Sequence, residues 1–193
     1  MSFGYTVNKE KNGVLLAYLA ERIPNITLRK LLKLVYLTDE KFTIERGFPL
    51  TWFSYFAWKK GPVAPEVYDV KNGAFAEYVL CHRNNEDKCE VSPVSGILTQ
   101  DKLNLYSQYE MDMIDQIIST YGSMSADELT DFTHLDDTLW SKVVNENNLT
   151  FSDSGRSDCE IHLIRLIEGD EEKEEVFEDA LEYMQFCNAT SVC

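Results

Sequence analysis

The sequence predicts an α+β fold that is predominantly α-helical, with a long central helix surrounded by helices and a small antiparallel β-sheet or hairpin. Segments with helical apolar spacing, bounded by capping residues, occupy much of the 193-residue chain. In one of them, residues 27–46, five leucines and one valine cover most of the helix circumference, as an enclosed helix requires. Residues 51–60 and 77–94 have the pattern of a strand and a hairpin.

Two helices are predicted in the first third of the chain. Apolar residues between Val7 and Ile23 fit a helix that ends at Pro24. Thr27 is an N-cap signal for the second helix, which runs to about Arg46 before Gly47. The polar residues of this second helix fall in one narrow sector: Arg29, Lys33, Tyr36 and Glu40. We expect that sector either to face solvent or to hydrogen-bond a neighbouring turn.

An aromatic strand and a hairpin are predicted next. Residues 51–60, TWFSYFAWKK, alternate as a half-buried strand does, and Gly61-Pro62 ends the run. Pro65 can open a short helix through about residue 70. Residues 77–94 predict a hairpin around a polar turn at 83–87.

The second half is predicted to be mainly helical. Ser107 with Glu110, and Ser125 with Glu128, are capping-box signatures that each open a helix. A short helical segment follows around residues 139–144, whereas residues 160–167 fit a strand or a helix. The last segment is an amphipathic helix with the apolar stripe Val176, Phe177, Ala180, Leu181, Met184 and Cys187. We divide the chain into residues 1–145 and an acidic C-terminal extension, 146–193, packed on the same single domain.

The charge of the chain is strongly divided. The chain has 18 Lys and Arg against 33 Asp and Glu, a formal net charge of -15. Residues 1–73 are mildly basic and residues 74–193 strongly acidic. Because phosphate binding rests on Lys and Arg, this balance argues against nucleic-acid binding over the whole surface and leaves a duplex ligand only for the first third. The acidic part is expected to favour basic partners by long-range attraction.

Cysteine usage and hydropathy favour a soluble, cytoplasmic protein with no membrane partner. Five widely spaced cysteines suit reduced thiols better than a disulfide framework. The N-terminus lacks a signal-peptide pattern, and we find no apolar run of about 18 residues that would span a bilayer.

Few residues carry the pattern of a catalytic or metal site, so we predict no catalytic residue, metal or cofactor. Cys81, His82 and Cys89 flank the hairpin turn but lack the paired spacing of zinc knuckles. His134 has nearby aspartates that could raise its pKa for acid–base chemistry. The alternative, which we favour, is a ring that braces the turn between two helices beside Trp140.

Three segments in order resemble the Panacea domain, also described as SocA-like or phage-associated GepA-like. They are KLLKLVYL at residues 30–37, FAWKKGPVAPEVY at residues 56–68, and Leu129-Thr130, Thr133-His134 and Trp140. The second segment is the most specific. The resemblance covers about residues 7–145, and the sequence departs from the family pattern at Thr38-Asp39-Glu40-Lys41, which leaves the role of that helix end open.

The resemblance implies a bacterial antitoxin of a toxin–antitoxin pair that binds and neutralises a protein toxin encoded by a neighbouring gene. One family member instead acts as an adaptor that delivers its toxin to the ClpXP protease, so a ClpXP-type protease is a second expected partner. Some members carry a helix-turn-helix domain; we expect none here, because the domain begins almost at Met1. Homo-oligomerisation stays open, and so does the alternative of a hydrolase-like enzyme that uses His134.

The expected partner-binding residues follow from the same segments and from the enrichment of Trp and Tyr among interface anchors. They are Lys33, Tyr36, Trp58, Lys59, Gly61, Pro62, Val63 and Tyr68. For Trp58 the alternative is ordinary core packing. His134 and Trp140 are expected to be a structural motif.

Overall fold

The computed structural model describes residues 2–190 and shows an α+β fold that is mainly helical. The helices are α1 Phe3–Thr6, α2 Lys9–Arg22, α3 Leu28–Arg46, α4 Pro65–Tyr68, α5 Gln100–Leu103, α6 Gln108–Tyr121, α7 Ala126–Thr133, α8 Leu139–Glu146 and α9 Glu171–Thr190. The strands are β1 Tyr55–Trp58, β2 Gly61–Val63, β3 Val79–Arg83, β4 Cys89–Pro93 and β5 Glu160–Ile161. Short 3₁₀ helices follow at Asp69–Asn72 and Leu163–Leu166.

Helix α3 is the central helix, and its ends form as its sequence predicts. The Thr27 side chain accepts a hydrogen bond from the Lys30 backbone N–H, and Gly47 closes the helix in the left-handed region at φ 84°. Helices α2, α6 and α7 and strands β2 and β4 all pack against α3. The polar sector is therefore not a solvated face, because Lys33 and Tyr36 are each only 1% exposed.

The end of α3 is tied to the segment before β1 by a buried carboxylate. Asp39 accepts hydrogen bonds from the Thr51 backbone N–H at 2.8 Å and from the Tyr55 hydroxyl at 2.7 Å. Burial raises the pKa of Asp39 to about 6, although these hydrogen bonds act in the opposite direction. The departure from the family pattern at residues 38–41 thus has a structural role in this chain.

Strand β1 lies at the centre of a three-stranded antiparallel sheet in the order β2-β1-β5. Its register with β2 pairs Phe56 with Val63 and Trp58 with Gly61, so Lys59 and Lys60 form the turn. The strand is shorter than the predicted 51–60, because Trp52 adopts a positive φ of 58° that breaks the extended backbone. Residues 160–167 contain both a strand, β5, and a 3₁₀ helix, which explains their ambiguous pattern.

Strands β3 and β4 form the predicted hairpin, and it brings two of the five cysteines together, a pairing that the cysteine spacing does not indicate. Cys81 and Cys89 are joined in a disulfide across the hairpin, with their Cα atoms 6.0 Å apart. The register places Cys81 opposite Val91 and Cys89 opposite Arg83, so the two cysteines are diagonal neighbours. The Val91 backbone N–H also donates to the Ile26 carbonyl at 2.8 Å, which fixes the hairpin beside the start of α3.

The second half contains both predicted capping boxes, at Ser107 and Ser125. Helix α9 packs beside α1, and the Phe177 ring lies 5.6 Å from the Trp52 ring. Much of the predicted α9 stripe is accessible, since Met184 alone among its described residues is fully buried. Among residues 2–190, none of the helices combines the length and apolar character needed to cross a membrane.

Candidate functional site

A cleft of about 850 Å³ opens where six separate stretches of the chain meet. Its walls are the start of α3 with the residues before it, the β1–β2 turn, the α4 region, the start of α7, and the loop at residues 153–155. Lys88 and Cys89 of the disulfide-bonded hairpin complete one side. The cleft thus depends on tertiary packing, and no single motif in the sequence outlines it.

The cleft is strongly basic although the chain as a whole is acidic. Two acidic side chains, Asp127 and Asp153, face seven basic ones. The basic residues are Arg29, Lys30, Lys33, Lys59, Lys60, Lys71 and Lys88. Against a formal net charge of -15 for the chain, this concentration of positive charge makes the cleft the natural place for an anionic group.

One wall of the cleft is the aromatic pair Trp58 and Tyr68, which contacts two cationic side chains. The Trp58 and Tyr68 rings meet edge to face, with centroids 4.9 Å apart. The Arg156 guanidinium lies 4.9 Å from the Trp58 centroid and 5.2 Å from that of Tyr68, and the Lys71 amine lies 3.7 Å from the Tyr68 centroid. Such cation–π contacts orient both rings. Hydrogen bonding from Lys71 and then Arg156 lowers the pKa of Tyr68.

Lys33 lies at the base of the cleft and connects α3 to the β1–β2 turn. Its amine, on a side chain that is almost fully buried, donates a hydrogen bond to the Lys60 carbonyl oxygen. Burial, with a smaller contribution from Arg29, lowers the pKa of Lys33 to about 7. A lysine with this pKa is partly neutral at pH 7, so its placement costs free energy in the folded state.

Gly61 is required for this arrangement. Its φ of +107° is one that side chains rarely adopt, and a Cβ atom there would overlap the Lys33 amine. The same Cβ would lie 3.0 Å from the Thr133 hydroxyl of α7. Glycine therefore lets α3, α7 and the turn approach one another closely.

His134 and Trp140 support the turn from behind. Their rings are stacked with centroids 3.7 Å apart and an interplanar angle of 7°. The Trp140 indole N–H donates to the Trp58 carbonyl at 2.9 Å. The pKa of His134 is lowered to about 4, mainly by burial and then by the nearby Lys33 charge. Acid–base chemistry at this residue would instead need a raised pKa. His134 Nε2 is buried and finds no hydrogen-bond partner among residues 2–190.

The predicted partner-binding residues fall into three groups. Those that line the cleft are Lys33, Trp58, Lys59, Val63 and Tyr68. Gly61 and Pro62 are buried in β2 behind the turn. Tyr36 lies in the core, where its hydroxyl donates to Glu40 at 3.0 Å and its ring contacts Tyr55 edge to face.

Several cleft residues were missing from the sequence-based set. They are Arg29, Lys30, Lys71 and Lys88, with Arg156 against the aromatic wall. The basic balance of residues 1–73 was the available signal for the first three, whereas Lys88 and Arg156 lie in acidic surroundings in the sequence. Within the described range, no group of three or more His, Cys, Asp or Glu side chains is arranged to hold a metal ion.

The family model described as "Antitoxin SocA-like, Panacea domain" matches residues 31–141, more than half of the chain. The chain belongs to the Panacea family. It is also 28% identical over 126 residues to the protein named Antitoxin SocA from Caulobacter vibrioides (strain NA1000 / CB15N), a match that covers 64% of this chain and 61% of that relative. No solved structure matches the chain.

The Panacea match contains most of the cleft. Lys33, the β1–β2 turn, Tyr68, Lys71 and the start of α7 all lie inside residues 31–141. The loop that carries Asp153 and Arg156, and the residues just before and at the start of α3, lie outside it. The core of the cleft therefore belongs to the family region, and part of its rim belongs to flanking segments.

Proposed function

We propose that this Panacea protein is an antitoxin that neutralises a protein toxin, encoded by a neighbouring gene, by direct and non-enzymatic binding. Membership of a family described as SocA-like antitoxins carries the proposal. The cleft supports it, because the most specific family segment, residues 56–68, supplies its turn and its aromatic wall. Half-buried aromatic rings next to exposed basic groups around a recess are the features of an anchor site for a protein partner.

The proposed contact surface is the cleft together with the β1–β2 turn. Trp58, Lys59, Val63 and Tyr68 would contact the toxin, while Lys33, Gly61 and Pro62 hold the turn in place. Tyr36 would contribute indirectly, by packing α3 against Tyr55. Part of the α9 surface, where Tyr183 and Phe186 are each 66% exposed, is a secondary candidate for contact.

The cytoplasm is the proposed location of the pair. The Cys81–Cys89 disulfide bears on this, because cytoplasmic thiol systems keep most cysteines reduced. We expect the two thiols to be reduced in the cell and the hairpin to persist through its five paired positions and its hydrogen bond to Ile26. Thiol labelling of freshly lysed cells measures their state directly.

The function is tested by expressing the adjacent open reading frame with and without this protein. We expect the neighbouring product to arrest growth, and we expect co-expression to restore growth and to yield a complex on purification. Following the partner's half-life separates neutralisation from the adaptor function, since an adaptor shortens it in cells that contain a ClpXP-type protease. If the two proteins neither associate nor affect each other's phenotype, the proposal is wrong.

A further inference from the structure

We propose that the basic cleft binds a short acidic segment of the partner protein, one that presents an apolar side chain together with its carboxylates. This inference rests on the proposed function, since the partner is taken to be the toxin. It adds to the proposed function the chemical character of the segment that the cleft recognises. The net acidity of the whole chain does not indicate that character. The argument depends on which cations are available, on the apolar floor of the cleft, and on the charge that surrounds it.

The available cations lie at the tip of the β1–β2 turn. Lys59 and Lys60 are exposed, and among residues 2–190 neither amine has a carboxylate within 4.0 Å. In a chain with 33 acidic side chains, many other lysines do pair, for example Lys11 with Glu110 at 2.7 Å. Two adjacent unpaired lysines beside a recess are therefore ready to meet carboxylates from another molecule.

The start of helix α3 adds positive potential at the same place. The first turns of α3 and α7 both line the cleft, and α3 is the long central helix. Helix N-termini carry partial positive charge and favour anions. The Arg29–Asp127 ion pair, at 2.7 Å, joins these two first turns and keeps them together. Because α3 has no acidic side chain in its first turn, whereas α7 has Asp127 and Glu128 there, the field of α3 alone adds to that of the turn lysines.

The cleft also has an apolar floor, which a bare anion would leave unused. Leu32 and Val63 are each 6% exposed and Ile26 is 1% exposed, and all three line the recess. The Trp58–Tyr68 pair forms the adjacent wall. A volume of about 850 Å³ accommodates more than one side chain. Filling this floor requires an apolar or aromatic residue next to the acidic ones.

A protein segment fits these features better than a nucleic acid does. Nucleic-acid binding depends on many Lys and Arg contacts along a backbone. Here the positive region is confined to one cleft, Asp127 and Asp153 lie in its walls, and the formal net charge of the chain is -15. A long polyanion would therefore meet repulsion on either side of the cleft, whereas a short acidic segment on an otherwise basic partner would not.

The inference is tested on the full chain with an array of peptides of constant length and apolar content, whose net charge runs from strongly negative to strongly positive. We expect binding to increase with negative charge and to fall when the apolar residues are replaced by serine. The double variant Lys59→Glu/Lys60→Glu should weaken binding of the acidic peptides by about tenfold or more, equivalent to about 1.4 kcal/mol. Lys142→Glu reverses one exposed charge on α8 outside the cleft. Compared with each single variant, Lys59→Glu and Lys60→Glu, it is the control of equal charge change and should alter binding little.

The outcomes separate this inference from the proposed function. Preference for basic or neutral peptides, or equal effects of the cleft and control variants, would overturn the inference. Tighter binding of a single-stranded RNA oligonucleotide than of any acidic peptide, lost in the cleft variant, would also overturn it in favour of a nucleic-acid site. If the neighbouring gene product binds wild type and the double cleft variant equally, the antitoxin proposal stands and the inference fails. If acidic peptides bind the cleft but the gene product does not bind, the antitoxin proposal fails instead.

Discussion

Lys33→Met tests whether the buried lysine at the base of the cleft is held at the expense of stability. Methionine has nearly the same length and fills the same space without a charge. The pKa of Lys33 falls from 10.5 to about 7 because the side chain is buried. The unfolded chain therefore binds this proton more readily than the folded chain does, and the wild-type protein loses stability as the pH falls from 10.5 towards 7.

The structure gives the magnitude of the effect. From these two pKa values, the amine costs about 4 kcal/mol of folding stability at pH 7. The variant removes that cost but leaves the Lys60 carbonyl without its hydrogen bond, a loss of about 1–3 kcal/mol. We expect a net stabilisation of about 2 kcal/mol at pH 7, which corresponds to a rise in Tm of roughly 5 °C for a chain of this size.

The assay is urea unfolding of wild type and Lys33→Met at several pH values. The advantage of the variant should shrink by about 2 kcal/mol between pH 7 and pH 9, because the wild-type amine becomes neutral in both states as the pH approaches 10.5. Lys142→Met, at an exposed position, should leave stability nearly unchanged at every pH. A variant less stable than wild type at pH 7, or a difference that does not vary with pH, would refute the reasoning.

Three further perturbations test the parts around the cleft. Gly61→Ala should destabilise the fold by more than about 2 kcal/mol, through positive-φ strain and steric overlap. Gly73 has a φ of +96° and open space around it, so Gly73→Ala should be destabilised by the strain alone. Thermal melts of the two variants compare these losses. Cys81→Ser should lower the free energy of unfolding by about 2 kcal/mol under oxidising conditions, because it removes the bond to Cys89. In reductant the variant and wild type should be equally stable, and a difference that persists there would show that the lost bond is not the cause. His134→Ala should lower Tm through the lost ring stack, whereas an intact melting curve with lost activity would favour the enzymatic alternative. Because burial lowers its pKa to about 4, the stability that His134 contributes should be full above pH 6.5 and decrease towards pH 4.

The elements that were predicted correctly are those specified by local chemistry. Helix α3 begins after Thr27 and ends at Gly47 because a side-chain cap and a left-handed glycine act within one turn of the chain. The two capping boxes also form within four residues. The strand in 51–60 is shortened by the backbone at Trp52, a conformation that residue type alone does not indicate.

The features that sequence reasoning missed depend on contacts between distant segments. Lys33 shares a polar sector with Arg29, and only the packing of α7 and β2 against α3 buries Lys33 at the base of the cleft. Arg29 stays partly exposed in the cleft wall. The disulfide follows from the register of β3 and β4, which the cysteine spacing alone leaves open. Arg156 reaches Trp58 from a polar loop about a hundred positions later in the chain.

Direct binding of a toxin at the cleft is the central claim, and growth rescue measures it most directly. Growth would be measured in cells that express the neighbouring gene product together with the wild-type protein, the Lys59→Glu/Lys60→Glu variant or the Lys142→Glu control. We predict that growth returns with wild type and with the control, and that the cleft variant rescues poorly although it accumulates to the same level. Equal rescue by all three proteins would contradict the cleft as the binding surface, and rescue by none of them would contradict the antitoxin function itself.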